Sequence, residues 1–176
     1  MLTVLWLITV AASPVAAADV PARDFPNVTG RNLHGKDVAF PQAFASAKHN
    51  VVIVAFTREQ QSLVDTWLPE LGSLSATNQS FNYYELPTIK KMNRLMKWVI
   101  YRGMRSGIED AQTRSRTVTL HIDKQPFKEQ LGIKTEDDIF VFLTDEKGKV
   151  RWQTQGLYSK GKGRALKARL LAPEKE

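Results

Sequence analysis

The 176-residue sequence contains no cysteine. This absence excludes disulfide bonds, thiolate nucleophiles and cysteine-ligated metal sites. Histidine is also scarce: His34, His49 and His121 never occur at i, i+4 spacing or beside a carboxylate cluster at ligand spacing. Neither Ser62 nor Ser80 lies in a nucleophile-elbow motif. The sequence therefore predicts no metal site, no cofactor and no catalytic residue.

Charged side chains are absent from the first 18 residues. This stretch has an apolar run over residues 2–12 and ends in Ala16, Ala17 and Ala18, an A-x-A pattern suited to signal peptidase. We therefore expect a signal peptide over residues 1–18, an exported periplasmic or extracellular protein, and one domain over residues 19–176. Because no Lys or Arg precedes the apolar run, an uncleaved membrane anchor is the alternative.

Acidic residues are outnumbered by basic ones, 18 to 25, which gives a formal net charge of +7. The apolar fraction of 43% is typical of a soluble globular protein and argues against disorder and against a multi-span membrane protein. The positive charge favours acidic partners or an anionic membrane surface. The charge is also compatible with nucleic-acid binding, but we do not expect that activity in an exported protein.

Hydrophobic patterning predicts alternating strands and helices. An N-terminal hairpin is predicted to turn at His34 and Gly35. Strands are predicted over residues 51–56, 81–86, 116–122 and 139–143 and from residue 150, and helices directly after Thr57 and over residues 87–101, 125–131 and 163–171. This order requires parallel crossovers followed by an antiparallel hairpin.

The junction after the first long strand carries a helix-start signal. Thr57 and Gln60 stand at the ends of an S/T-x-x-E/Q capping box, in which each side chain satisfies a free backbone N–H group. Pro69 is expected to kink or end the helix that follows. Residues 160–163 are interpreted as a flexible basic loop.

Several short motifs together resemble the thioredoxin-like fold in its peroxiredoxin and TlpA-type variant. The motifs are Phe25-Pro26-Asn27, Gly35-Lys36-Asp37-Val38, Leu131-Gly132-Ile133, Phe140-Val141-Phe142-Leu143 and Gly148-Lys149-Val150. The resemblance implies an α/β fold with a central mixed sheet flanked by helices. A helical insert and a C-terminal antiparallel hairpin plus helix are expected in addition.

The resemblance also locates a former redox site. Redox members carry their reactive cysteine within the stretch that corresponds here to residues 57–64, which holds Thr57, Arg58, Gln60, Gln61 and Val64. The proline that members carry before the closing strand is absent from residues 137–139. The chain is therefore expected to be neither a thiol-disulfide oxidoreductase nor a peroxidase.

The sequence further resembles mitochondrial assembly factors that help build the membrane-embedded proton-channel subunit of the F-type ATP synthase. These proteins are thioredoxin-like and need no catalytic cysteine. The match extends over about residues 51–156, and its residues are Phe56, Gln61, Trp67, Gly103, Arg105, Gly107, Leu131-Gly132-Ile133, Val150-Arg151-Trp152 and Gly156. The resemblance implies a helper role.

The predicted helix over residues 87–101 and the residues after it are strongly basic, with six cations and no acid between Glu85 and Glu109. At helical spacing the apolar residues share one face and the cations the other, with Trp98 and Tyr101 among the cations. The candidate partner-binding residues are Lys90, Arg94, Lys97, Trp98, Tyr101 and Arg105. Aromatic residues among cations suit a protein interface or a lipid headgroup region, whereas a plain solvated face would account for the charges alone.

Two functional hypotheses follow from the sequence. The first is a noncatalytic, exported, thioredoxin-like binding, assembly or chaperone factor for a protein partner, such as a membrane complex like the ATP synthase. The second is a small-ligand binder or an enzyme that reuses the former redox pocket without cysteine. They differ in where the functional surface lies: on the basic insert or around Arg58, Gln60 and Gln61.

Overall fold

A seven-stranded mixed sheet lies at the centre of the computed structural model, which describes residues 23–90 and 111–172. In chain order the strands are β1 (Val28–Asn32), β2 (Asp37–Phe40), β3 (His49–Ala55), β4 (Phe81–Lys90), β5 (Val118–Ile122), β6 (Phe140–Asp145) and β7 (Val150–Gln155). The spatial order is β2-β1-β5-β4-β3-β6-β7. Strands β3, β4 and β5 are parallel neighbours, and the other pairings are antiparallel. The predicted α/β thioredoxin-like architecture is confirmed.

Five α-helices flank this sheet within the described residues. They are α1 (Gln61–Asp65), α2 (Leu68–Thr77), α3 (Ala111–Arg116), α4 (Lys124–Leu131) and α5 (Lys160–Leu171). A short 3-10 helix over Gln42–Ser46 joins β2 to β3. Among the residues described, no helix is long and apolar enough to cross a membrane.

Two apolar layers pack on opposite faces of the sheet, because successive side chains of a strand point to opposite faces. Val52 and Val54 of β3 belong to the layer that also holds Phe44 and Phe127, from the 3-10 helix and α4. The second layer, beneath α1, α2 and α5, includes Val51, Ile53, Trp67, Leu71 and Leu166. Strand β3 is thus buried on both faces, as its continuous apolar run predicts.

The two predicted hairpins are present. Strands β1 and β2 pair with Arg31 opposite Asp37, and Gly35 in the intervening turn has a φ of 84°, a left-handed conformation that favours glycine. Strands β6 and β7 form the closing antiparallel hairpin, with Leu143 opposite Trp152.

The predicted start of the insert helix at residue 87 is wrong. Strand β4 continues through Pro87 to Lys90. Pro87 is the last partner of β3 in the ladder, opposite Ala55, and Thr88 begins the pairing with β5. Thr88 is fully buried, and its β-branched side chain suits a strand. This local pairing overrides the helix-start preference of proline.

The expected capping box is also wrong in part. The first helix begins at Gln61 and not directly after Thr57, and no side chain caps it. The hydroxyl of Thr57 instead hydrogen-bonds the Glu59 side chain. The helical segment is interrupted between α1 and α2. Pro69 lies in the first turn of α2, where the missing backbone N–H group costs little stability.

Two further boundaries differ from the sequence prediction. Residues 160–163 belong to α5 and not to a loop, because the Ser159 side chain accepts a hydrogen bond from the Lys162 N–H and caps the helix. Arg116 ends α3 and does not begin β5. The signal-peptide prediction over residues 1–18 lies outside the described residues.

Candidate functional site

Gln60 is a buried residue at the turn between β3 and α1, within the stretch predicted as the former redox site. It is 6% exposed. Its Oε1 accepts hydrogen bonds from the backbone N–H groups of Phe56, at 2.7 Å, and Thr57, at 3.4 Å. Its Nε2 donates to the backbone carbonyl oxygen of Glu136 at 2.7 Å. Both polar ends of the side chain are therefore bonded to the backbone of this protein.

The loop before β6, to which Gln60 is hydrogen-bonded at Glu136, also forms ion pairs. The Glu136 carboxylate pairs with Lys124 and, at 2.9 Å, with Lys128, both on α4. The hydrogen bond from Lys124, followed by that from Lys128, holds the pKa of Glu136 below its ordinary value. Lys124 also lies 5.5 Å from the ring centroid of Phe56. These contacts join α4 to the turn after β3.

The other predicted former redox-site residues have different environments. Thr57, Arg58 and Gln61 are exposed, whereas Val64 is buried against the sheet. Gln61 Nε2 donates to the Asp65 carboxylate at 2.9 Å, one helical turn along α1. All five residues thus lie at one end of the sheet. Three of them are exposed to solvent, whereas Gln60 and Val64 are buried.

Glu85 is a residue of this site that the sequence analysis missed. It lies on β4 opposite Ile53 and is only 4% exposed. Its carboxylate receives a hydrogen bond from Gln61 and a long one, 3.5 Å, from the Thr117 hydroxyl. A lone acid inside the apolar and aromatic run of residues 81–87 is the sequence signal that could have revealed it.

Desolvation by burial raises the pKa of Glu85 to about 7, and the nearby Asp65 carboxylate acts in the same direction. Hydrogen bonds from Gln61 and Thr117 act in the opposite direction. Glu85 is therefore poised between its neutral and ionised forms near neutral pH. A carboxyl group with such a pKa can exchange a proton or hold a cation.

A small recess that is continuous with solvent lies beside Glu85, and its free volume of about 10 Å³ is room for about one water molecule. Its lining comprises the polar residues Gln61 and Glu85 and the apolar or aliphatic residues Ile53, Ala55, Val64, Leu86 and Pro87. Two of the predicted former redox-site residues, Gln61 and Val64, thus form part of its wall. Over residues 23–90 and 111–172, no group of three or more His, Asp or Glu side chains is arranged to hold a metal ion.

The predicted partner-binding residues fall mostly outside the described part of the chain. Lys90 is exposed at the end of β4. The others lie outside the described residues: Arg94, Lys97, Trp98, Tyr101 and Arg105.

Solved structures with the thioredoxin-like fold are similar to this chain over most of their length. BsSco, a member of the Sco family of cytochrome c oxidase assembly proteins, has a TM-score of 0.55 and 12% identity, covering 88% of this chain and 98% of its own. A putative electron transfer protein from Aquifex aeolicus has a TM-score of 0.54 and 10% identity, with coverages of 84% and 90%. The thioredoxin domain of a thiol-disulfide oxidoreductase from Bacteroides vulgatus has a TM-score of 0.51 and 18% identity, with coverages of 82% and 94%. At these identities the likeness establishes the fold.

Sequence comparison adds a family. No curated protein matches the sequence. The sequence model of the family described as ATP10 protein matches residues 13–167, which is most of the chain.

Proposed function

The chain belongs to the ATP10 protein family of ATP synthase assembly factors, and from this membership we propose that it assists ATP synthase assembly by binding a protein partner, without catalysis. The fold is compatible with this role, because it retains the thioredoxin-like scaffold while the sequence lacks the thiol that redox members use. Function is thus assigned to a binding surface and not to a nucleophile.

The observation that carries the noncatalytic part of the proposal is the bonding of Gln60. Within the predicted former redox stretch, its amide accepts a hydrogen bond from the Phe56 N–H group and donates one to the Glu136 carbonyl oxygen. A nucleophile must be free to approach a substrate, whereas this buried side chain is already bonded at both ends. Gln60 therefore supports a structural role for the former redox turn.

We place the partner-binding surface on the basic insert. Lys90 begins it, and its proposed anchors are Trp98 and Tyr101 among the cations Arg94, Lys97 and Arg105. Aromatic residues and arginine are enriched at protein interfaces, and a cationic surface favours an acidic partner. An anionic membrane surface close to that partner would attract the same cations.

Export forms part of the proposal. The apolar run over residues 2–12 and the exit at Ala16 to Ala18 support a cleaved signal peptide and a periplasmic or extracellular location. An uncleaved segment would instead anchor the protein to the membrane facing the same compartment.

Co-purification tests the binding role. The tagged chain is recovered from detergent-solubilised membranes of its source cells, and ATP synthase subunits are detected with antibodies. A tagged thioredoxin-like protein of another family serves as the control for the fold. We expect enrichment of ATP synthase subunits with this chain, and equal recovery with both proteins would contradict the proposal.

A second function, the binding of a small ligand at the former redox position, is favoured by one observation. The recess lined by Gln61 and Val64 contains the buried carboxyl group of Glu85. Ligand sites are typically mostly apolar with a few polar groups, and this recess has such a lining, with free space for about one water molecule. The two functions use different surfaces and can coexist.

A further inference from the structure

We propose that the outer face of α5 docks on an anionic membrane surface, with its cations against lipid phosphates and Leu171 in the headgroup region. The occupant of this face is a lipid surface and not a protein. The inference concerns a surface that the proposed functions do not use, and it is independent of both the basic insert and the Glu85 recess.

Helix α5 carries cations and no acid. Its five basic side chains are Lys160, Lys162, Arg164, Lys167 and Arg169. At about 100° per residue, spacings of four, three and four residues place side chains on one stripe of a helix. Four exposed residues of α5 have this spacing: Lys160, Arg164, Lys167 and Leu171. The buried side of the helix, which includes Leu166, packs on the sheet.

Three of the five cations have a structural explanation. The Lys162 ammonium group donates a hydrogen bond to the Leu157 carbonyl oxygen at 2.7 Å. Lys167 forms an ion pair with Glu70 at 2.7 Å. Arg169 lies in the last turn of α5, where the helix dipole favours a positive charge. These three contacts stabilise the fold without a partner.

Lys160 and Arg164 have no such explanation. Within the described residues, neither side chain forms an ion pair or a hydrogen bond. They are like charges at i, i+4 spacing, which disfavours a helix. Lys160 also lies in the first turn, where the helix dipole disfavours a cation and no acid compensates it. Local choices that oppose the fold are expected at functional surfaces, and a negatively charged partner would compensate both residues.

The composition of the outer face favours a lipid surface over a protein. Protein interfaces are commonly anchored by aromatic side chains, and α5 contains none. Between its cations the exposed side presents small residues, such as Gly161 and Ala168. Clusters of about four to eight cations on a helix are typical of binding to anionic lipids, which need no anchoring side chain. Leu171 is 86% exposed and ends the stripe, where it would enter the headgroup region.

Co-sedimentation of the full chain with vesicles tests the inference. One set of vesicles contains equal parts of phosphatidylglycerol and phosphatidylcholine, and the other contains phosphatidylcholine alone. We expect binding to the anionic vesicles that weakens as salt is added, because salt screens exposed charges. Binding to the neutral vesicles should be at least about tenfold weaker. All proteins compared retain residues 1–18, so any contribution of that segment is common to them.

Two double variants remove the same number of charges. Lys160→Gln with Arg164→Gln should weaken binding to the anionic vesicles by about 25-fold, because each cation near such a surface contributes about fivefold. Lys36→Gln with Lys134→Gln is the matched control. Both control residues are exposed, Lys36 in the turn between β1 and β2 and Lys134 after α4, on elements away from α5. The control should lose less than about threefold, since charges away from the surface are screened.

The absence of cysteine permits a third measurement. Leu171→Cys introduces a single thiol, which is labelled with a fluorophore that is sensitive to polarity. We expect its emission to shift to shorter wavelength when anionic vesicles bind, because the label enters the headgroup region. The same label at Lys36→Cys should keep its emission.

Four results would overturn the inference. They are absence of binding to anionic vesicles, equal binding to both kinds of vesicle, equal losses in the two double variants, and unchanged emission of the label at position 171 on binding. If poly-L-glutamate binds through Lys160 and Arg164 and anionic vesicles do not, the occupant is an acidic protein and the inference is wrong. The recovery of ATP synthase subunits is measured separately, so a failure here is distinguishable from a failure of the assembly role.

Discussion

The side-chain amide of Gln60 donates a hydrogen bond to the backbone carbonyl oxygen of Glu136 at 2.7 Å. This bond joins the turn after β3 to the loop before β6, two segments 76 residues apart in sequence. The turn after β3 thus contributes to the stability of the fold through the Gln60 side chain.

Replacing Gln60 by Ala should destabilise the protein by at least about 2 kcal/mol. The substitution leaves the buried Phe56 N–H group and the Glu136 carbonyl oxygen without their partner, and each such loss costs about 1–3 kcal/mol. Urea unfolding measures the effect. Gln125→Ala is the control, because Gln125 is exposed and bonds Glu129 on the same helix; its effect should stay below about 0.5 kcal/mol. Equal losses in the two variants would refute the role of Gln60.

The stability of the protein should depend on pH through Glu85. Its folded pKa of about 7 lies above its ordinary value of 4.5, so the folded state holds the proton more tightly than the unfolded state. The Glu85 contribution is therefore fully present below about pH 4.5 and is lost as pH rises through about 7. The difference between the folded and the ordinary pKa of Glu85 corresponds to about 3 kcal/mol in the free energy of unfolding.

Urea unfolding at pH 5 and pH 8 of the unmodified chain and of Glu85→Gln measures this contribution. All other titratable groups are common to both proteins, so the difference between the two proteins isolates Glu85. The unmodified chain should lose about 2–3 kcal/mol relative to the variant between these pH values. If the free energies of unfolding of the two proteins differ by the same amount at both pH values, folding does not raise the pKa of Glu85.

The sequence predicted the architecture better than the site. Continuous and alternating apolar runs identified β3 and the β6–β7 hairpin, because burial on one or both faces determines those patterns. The extension of β4 to Lys90 depends on pairing with the distant β5, which local preferences cannot show. Gln60 was expected to bond the backbone at the helix start, and its Oε1 does accept from the Thr57 N–H group. For the same reason its second bond, from Nε2 to the Glu136 carbonyl oxygen, was not foreseen.

The environment of Glu85 could not be predicted from the sequence. Its position in the sequence marks an acid within an apolar strand, but its significance comes from Gln61, Asp65 and Thr117, which the fold brings to it from other elements. The predicted former redox-site residues lie together at one end of the sheet because they are close in sequence, and their origin as a redox site stays a prediction. The partner-binding prediction on the insert stays a prediction.

Truncating Trp98 and Tyr101 together to Ala should weaken association with the partner while preserving the melting temperature. Aromatic anchors at interfaces commonly contribute about 2 kcal/mol or more when truncated, whereas a change at a solvated surface usually shifts stability by less than about 0.5 kcal/mol. Recovery of ATP synthase subunits and thermal unfolding are measured on the same preparations. Lys90→Glu and Arg94→Glu should slow association and reduce its salt dependence.

Two results would contradict the proposed partner-binding surface on the basic insert. A double aromatic variant that melts several degrees lower would place Trp98 and Tyr101 in the core. A variant with unchanged melting temperature and unchanged recovery of the partner would identify the insert as a solvated face. The end of the sheet that holds Arg58 and Gln60 would then be the candidate binding surface.

Export should remove the first 18 residues. The A-x-A exit at Ala16 to Ala18 predicts a mature N-terminus at Asp19. Mass spectrometry of the protein isolated from its source cells checks this prediction. A protein that retains residues 1–18 and fractionates with membranes would instead identify an uncleaved anchor.

The most direct test of the central claim is the amount of assembled ATP synthase, measured on native gels, in source cells that lack this protein. The account predicts a loss of the assembled complex with its subunits still synthesised, and recovery when the cysteine-free chain is supplied again. Normal levels of assembled ATP synthase in cells without the protein would contradict the account.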